Sequence, residues 1–148
     1  MKKRILIFSV AICTLSAAQA QDIFQYQAPS VIVNEFSKQY PKATDVEWEI
    51  EGDFYKVDFE TGWNVDHEIW YNAEGKMVKH KEDISKIELP KTVTDRIKTD
   101  FNGYTIDDLK RITDNGKIVY KMELNALMKR DWNVVIDTNG NVLSKMAD

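Results

Sequence analysis

The chain has 148 residues, 43% of them hydrophobic, with 20 basic and 24 acidic side chains and a net charge of −4 at pH 7, which suits one ordinary globular domain. An acidic balance argues against nucleic acid and anionic lipid as partners, since both call for a cationic footprint. The single cysteine, Cys13, has no partner for a disulfide and leaves no thiolate set for a metal.

Lys2, Lys3 and Arg4 precede an apolar run from Ile5 to Leu15, and Ala18-Gln19-Ala20 follows it. A positive start, a short apolar run and a small-x-small site are the order of a cleaved secretory leader. The run is too short to span a bilayer, which takes about 20 apolar residues. Residues 1–20 are therefore read as a signal peptide, with the working protein beginning at Gln21. Cys13 lies inside the run after Ile12, not behind small residues, so it reads as an apolar leader residue and not as a lipidation site. No later stretch is long and apolar enough for a membrane helix.

The remaining residues tell one story twice, over 29–82 and 90–146. Pro29 opens a helical stripe of Ile32, Phe36 and Tyr40, and Pro90 opens one of Val93, Ile97 and Phe101. Both follow the i, i+4, i+8 spacing of one helix face, and proline suits the first turn because the amide it lacks would be unpaired there. The period then drops to two. Val46, Trp48 and Ile50 alternate with Glu47, Glu49 and Glu51; Tyr55, Val57 and Phe59 alternate with Lys56, Asp58 and Glu60. In the second copy Tyr120, Met122 and Leu124 alternate with Lys121 and Glu123. This is the pattern of strands with one face on a core. Asn115-Gly116 marks a hairpin turn, and the second copy is expected to carry its extra residues near it. Ile69 to Gly75 and Val134 to Gly140 each run from a strand into a short loop with glycine near its end, before a last short strand. The fold class is thus α+β: two tandem helix-plus-four-antiparallel-strand repeats that share one sheet, with both helices on one face.

These residues resemble the PepSY-like family, also described as beta-lactamase-inhibitor-like. The resemblance rests on Leu89-Pro90-Lys91-Thr92-Val93 and Phe101-Asn102-Gly103-Tyr104 in the second copy. In the first it rests on Tyr40-Pro41-Lys42-Ala43, Tyr55-Lys56-Val57 and Glu68-Ile69-Trp70-Tyr71-Asn72-Ala73-Glu74-Gly75-Lys76. Ala28-Pro29 stands where Leu-Pro is usual, and Asn102 where proline is usual. The resemblance implies a single exported α+β domain over 21–148 with an extended antiparallel sheet, a periplasmic setting and a role in binding or inhibiting another protein. It carries over no catalytic residues.

The residues themselves offer little chemistry. His67 has the core parity of Val65, Ile69 and Tyr71 and reads as an inner histidine, while His80 in Lys79-His80-Lys81 reads as part of a solvated basic run. No histidine pair has the local spacing of a metal site. Glu47, Glu49, Glu51, Asp58, Glu60, Asp66 and Glu68 alternate along strands and read as a solvated sheet face, not as the opposed carboxylates of a glycosidase. Asp137-Thr138-Asn139-Gly140-Asn141 begins like a calcium loop but lacks its closing glutamate, so a hairpin turn is expected. The expectation is no catalytic residue, no metal site and no cofactor.

Four apolar residues break the strand parity. Phe54 and Trp70 adjoin core residues and so point away from the core, and Val119 and Val135 repeat this at matching positions. Two readings stand: cross-strand packing on an exposed face, or a partner surface with a charged rim. Trp63 sits near the tip of a hairpin, with Ala126-Leu127-Met128 as its counterpart. The expected partner-binding set is Phe54, Trp63, Trp70, Val119 and Val135, and the expected function is that of an exported non-enzymatic binding protein, of inhibitor type, acting on an exported or envelope protein. The alternative is an envelope sensor of a small ligand or peptide held in a groove between the repeats.

Overall fold

The computed structural model describes residues 21–24 and 27–148. The predicted leader, its cleavage site and Cys13 lie outside the described residues, apart from Gln21 itself. The elements run β1 (Gln21–Ile23), α1 (Ser30–Gln39), β2 (Thr44–Glu51), β3 (Phe54–Thr61), β4 (Val65–Tyr71), β5 (Met77–Asp83), a 3-10 turn over Lys86–Glu88, α2 (Lys91–Asp100), β6 (Thr105–Asp114), β7 (Lys117–Asn125), β8 (Trp132–Asp137) and β9 (Val142–Ala147). The fold is α+β, with two helices and one nine-stranded antiparallel sheet whose strand order follows the chain from β1 to β9.

Pro29 and Pro90 hold the positions just before each helix, one residue earlier than the sequence suggested, with extended backbone. Their carbonyls accept the first amides, from Ile32 and Val33 in α1 and from Val93 and Thr94 in α2. The stripes fall where the period puts them. Ile32, Phe36, Val93, Ile97 and Phe101 are buried, and Tyr40 is half-buried at the end of α1. The expected strand partners Trp48, Val57, Phe59, Ile69, Met122 and Val134 are buried too.

Cross-strand pairing shows that both helices share a face of the sheet. Residues directly opposite one another in a ladder point the same way. Phe59 pairs with His67, His67 with Glu82, Glu82 with Arg111, Arg111 with Tyr120, and Tyr120 with Ile136. Phe59 packs with the α1 residues and Tyr120 and Ile136 with those of α2, so this row crosses from one core to the other on one surface. The apolar interior is two clusters, not one. Ala28, Ile32, Phe36, Trp48, Val57, Phe59, Ile69 and Tyr71 form the first. Leu89, Val93, Ile97, Phe101, Leu109, Tyr120, Met122, Leu124, Val134 and Ile136 form the second.

The β4–β5 and β8–β9 turns match at the level of single bonds. Asn72 and Lys76 close the β4–β5 turn as Asp137 and Asn141 close the β8–β9 turn, each with an amide-to-carbonyl bond of 3.0 Å. Gly75 and Gly140 both have φ of +84°, and each lies against the start of a helix, at Val31 and at Thr92. The extra residues of the second half lengthen β6 and β7 and not the turn between them. Asn115-Gly116 is as short a link as Gly52-Asp53.

Candidate functional site

The helix-free face is built by the strand residues of opposite parity. Its first half is an ion-pair ladder. Lys56 lies 2.8 Å from Asp58, 3.5 Å from Glu49 and 3.7 Å from Glu68, and Lys81 pairs with Glu68 from the next strand. These carboxylates were expected to be simply solvated. Instead three of them converge on one half-buried lysine. Burial opposes the charge on Lys56, but Asp58, Glu68 and Glu49 outweigh it and raise its pKa above the usual lysine value. Burial also raises the Asp58 carboxyl, against the pull of Lys56.

The five predicted contact residues do not form one patch. Phe54 is 40% exposed, Val119 and Val135 are half-buried, and Trp63 at the β3–β4 tip is 97% exposed. Trp70 is only 7% exposed, which corrects the expectation that it stands open. It does point away from the helices, but its strand neighbours cover it. Lys56 and Lys79 lie directly opposite it on β3 and β5. The Lys79 ammonium sits 4.1 Å from the ring centre and that of Lys56 5.7 Å away, within cation–π reach. Its indole N–H donates to Glu51 Oε2 at 2.7 Å. Phe54 is its diagonal neighbour on β3. Val119 and Val135 are diagonal neighbours on β7 and β8, beside Ile112 on β6. Two strands separate the pairs, or roughly 14 Å at ordinary strand spacing. At one end of the sheet the β3–β4 and β7–β8 tips raise Trp63, Leu127 and Met128 almost wholly into solvent.

The opposite face holds a site that sequence reasoning missed. Between the two apolar clusters, β4 and β5 bring His67, His80 and Glu82 together. His80 is not a solvated residue: Lys79 and Lys81 turn outward, and His80 turns in beside His67. His67 Nδ1 and His80 Nε2 are 3.1 Å apart, so one donates and the other accepts a single shared proton. The far side of His67, Nε2, lies 2.7 Å from Thr61 Oγ1. Arg111 Nε donates to Glu82 Oε1 at 2.8 Å, and Glu82 Oε2 is 3.9 Å from His67 Nδ1. Phe59 stacks on His67, and Tyr40 from the end of α1 closes over both rings. Burial lowers both histidine pKa values, with Glu82 opposing it in each case. The pair is therefore neutral at neutral pH. Burial, and then Glu82, raise the Tyr40 phenol. The signal that would have found this site is the β4–β5 hairpin register, which sets His67 opposite Glu82 and leaves His80 two residues away on the same face.

The Asp137 turn is the hairpin expected of it. Oδ1 accepts the amides of Asn139 and Asn141, and Oδ2 accepts the Asn141 side-chain amide. Both oxygens are thus engaged within the turn.

No helix among the described residues is long and apolar enough to cross a membrane. Known structures share the fold. A protein described as "putative periplasmic" from Bacteroides eggerthii DSM 20697 is 18% identical, with a TM-score of 0.67 over 81% of this chain and 88% of its own. A DUF2874 family protein from Bacteroides uniformis ATCC 8492 is 17% identical, with a TM-score of 0.66 over 81% and 89%. A BLIP-like protein from Bacteroides fragilis NCTC 9343 is 19% identical, with a TM-score of 0.62 over 80% and 85%. At such identities the likeness is one of fold. None of the curated proteins compared with the chain matches it. The family model described as "Putative beta-lactamase-inhibitor-like, PepSY-like" matches residues 15–68 and again 53–144. Two overlapping matches that together span residues 15–144 place this chain in the PepSY-like, beta-lactamase-inhibitor-like family.

Proposed function

We propose that the chain is an exported, non-enzymatic binding protein of inhibitor type, which docks an exported or envelope protein on the helix-free face of its sheet. The observation that carries this reading is the uncovered face itself. Nine strands present it, no described element packs over it, and its end bears Trp63, an aromatic anchor almost wholly in solvent. Exposed aromatics with a charged surround are the usual make-up of interface centres. The description of the family as beta-lactamase-inhibitor-like and the BLIP-like relative support a binding role. Lys2 to Ala20 reads as a leader, and the "putative periplasmic" relative supports a periplasmic setting. We also read 29–82 and 90–146 as tandem repeats of one unit within a single domain, 21–148, which the two overlapping family matches support.

The contact set keeps Phe54, Trp63, Val119 and Val135 as direct contacts. Trp70 takes a different part in it, holding Lys56 and Lys79 in place as charged rim. The groove expected by the sensor alternative has less support, because on the helix side of the seam His67, His80, Glu82 and Arg111 are engaged with one another.

The test is capture of a partner from envelope extract, repeated with Trp63→Ala and with Val135→Arg. Loss of the captured protein with an unchanged unfolding midpoint supports the reading. Capture that survives both changes, or a thermal shift with small molecules in place of any protein partner, overturns it.

A further inference from the structure

We propose that His67, His80 and Glu82 form a binding site for a divalent transition-metal ion of the zinc class. The site lies on the helix side of the sheet, so it stands or falls independently of docking on the other face.

The geometry comes first. The three candidate ligand atoms lie within 4.8 Å of one another. Bonds of 2.0–2.1 Å to a tetrahedral ion set neighbouring donors about 3.3 Å apart, and the facing histidine nitrogens stand at 3.1 Å. The two rings lie within 20° of parallel with centroids 5.3 Å apart. With a nitrogen contact of 3.1 Å, this sets the rings edge to edge, each lone pair aimed at the other nitrogen. A cation takes the place of the one shared proton after each ring pivots by roughly 35–40°, which turns both lone pairs to a point off the line between the nitrogens. Each neutral ring carries one proton; placed on the outer nitrogens, His67 Nε2 toward Thr61 and His80 Nδ1, these protons leave both facing nitrogens free, so no other group has to accept one.

The surroundings match what a metal site needs. A ligating histidine is normally held by a hydrogen bond at its other nitrogen, which fixes which lone pair is free. Thr61 Oγ1 makes that contact with His67 Nε2. Arg111 likewise holds one oxygen of Glu82 and leaves Oε2 toward His67. Arg111 brings one positive charge near the site and Lys110 pairs with Asp83 at 3.1 Å, but Glu82, Asp83 and Asp66 bring three negative ones within electrostatic reach of His67. The balance therefore favours a cation. Two imidazoles and one carboxylate suit Zn²⁺, Ni²⁺ or Cu²⁺ and not the oxygen-seeking Mg²⁺ or Ca²⁺. Three protein ligands leave a fourth position for water or an incoming donor.

The experiment is a titration of tag-free, chelator-stripped protein with Co²⁺, followed by displacement with Zn²⁺. The expected result is one equivalent of Co²⁺ with a visible ligand-field band that Zn²⁺ abolishes. Thr61→Val should weaken binding roughly 10- to 100-fold, as loss of an orienting partner does. His80→Gln should weaken it further, and Lys81→Gln, on the same strand but the other face, should not change it. His67 is buried, so His80→Gln carries the test if His67→Gln fails to fold; circular dichroism in chelator checks each variant. Absence of saturable Co²⁺ binding by the wild-type protein, or binding that survives His80→Gln, overturns the proposal.

Discussion

Gly140 shows how much a single residue fixes. Its φ of +84° is one that side chains rarely adopt, and a Cβ there would lie 2.7 Å from the Thr92 carbonyl oxygen. The backbone of the β8–β9 turn thus sits directly on the start of α2, where Thr92 Oγ1 and Arg96 Nε also donate to turn carbonyls. Gly140→Ala should lower stability by at least about 2 kcal/mol, from the left-handed backbone and the clash together, measurable by urea unfolding. Tyr71 is the contrary case. It is fully buried and its hydroxyl has no hydrogen-bond partner among the described residues, and burial pushes its phenol pKa up. Removing an unpaired buried polar atom costs nothing in lost bonds, so Tyr71→Phe should leave the unfolding midpoint unchanged or raise it. Asp137 responds to pH. Hydrogen bonds from the Asn141 side chain and from the Asn141, Asn139 and Gly140 amides hold its carboxyl below the usual value. A folded-state pKa below the unfolded one gives stability that is present above the ordinary aspartate pKa, about 4, and lost as pH falls through the folded value. The stability gap between wild type and Asp137→Ala should therefore be widest at neutral pH and close in acid.

Among the elements, β4 carries different loads on its two faces. Ile69 and Tyr71 pack into the first apolar cluster, while Trp70 is roofed by Lys56 and Lys79 and tied to Glu51. Trp70→Ala should cost about 2 kcal/mol from the lost apolar burial and cation contacts. Phe36→Ala, emptying a position that meets Tyr40, Trp48 and Phe59, should cost about 3–5 kcal/mol. Chemical denaturation of the two variants checks both the sizes and their order. The sequence reading of these elements succeeded where one local rule decides the outcome. A 3.6-residue period put Ile32, Phe36, Val93 and Ile97 in the core, and a two-residue period correctly turned Trp70 away from the helices. It fell short where neighbours on other strands decide. Whether Trp70 is open depends on which side chains stand opposite it, and those follow from β3 and β5 registers that no local pattern states. His80 was misplaced for the same reason. A bulge between Trp70 and Tyr71 shifts the β4–β5 ladder, and only the shifted register makes clear that His80 faces His67 while the lysines on either side face out.

The molecule as a whole is two apolar clusters on one sheet, joined at β5–β6. Five paired positions, from Lys79–Asp114 to Asp83–Lys110, make that junction. Ion pairs of Arg111 with Glu82 and of Lys110 with Asp83 brace its two faces. A unit of half this size has a marginal core by itself, so the halves should unfold together. Tryptophan fluorescence and far-ultraviolet circular dichroism should give coincident denaturation curves. Two separated steps would show that the junction does not couple them. The strand order has a consequence for how the chain acquires its shape. Every ladder joins strands that are consecutive in sequence, six of the eight contacts between strands following directly and two, β1–β2 and β5–β6, after one short α-helix, and none waiting for a distant segment. Long-range pairing is what slows sheet proteins, because a large loop must close before any contact rewards it. Here the sheet can be laid down one strand at a time, each new strand finding its template already in place. A chain emerging into its compartment from the N-terminus onward would never hold more than its newest strand unmatched.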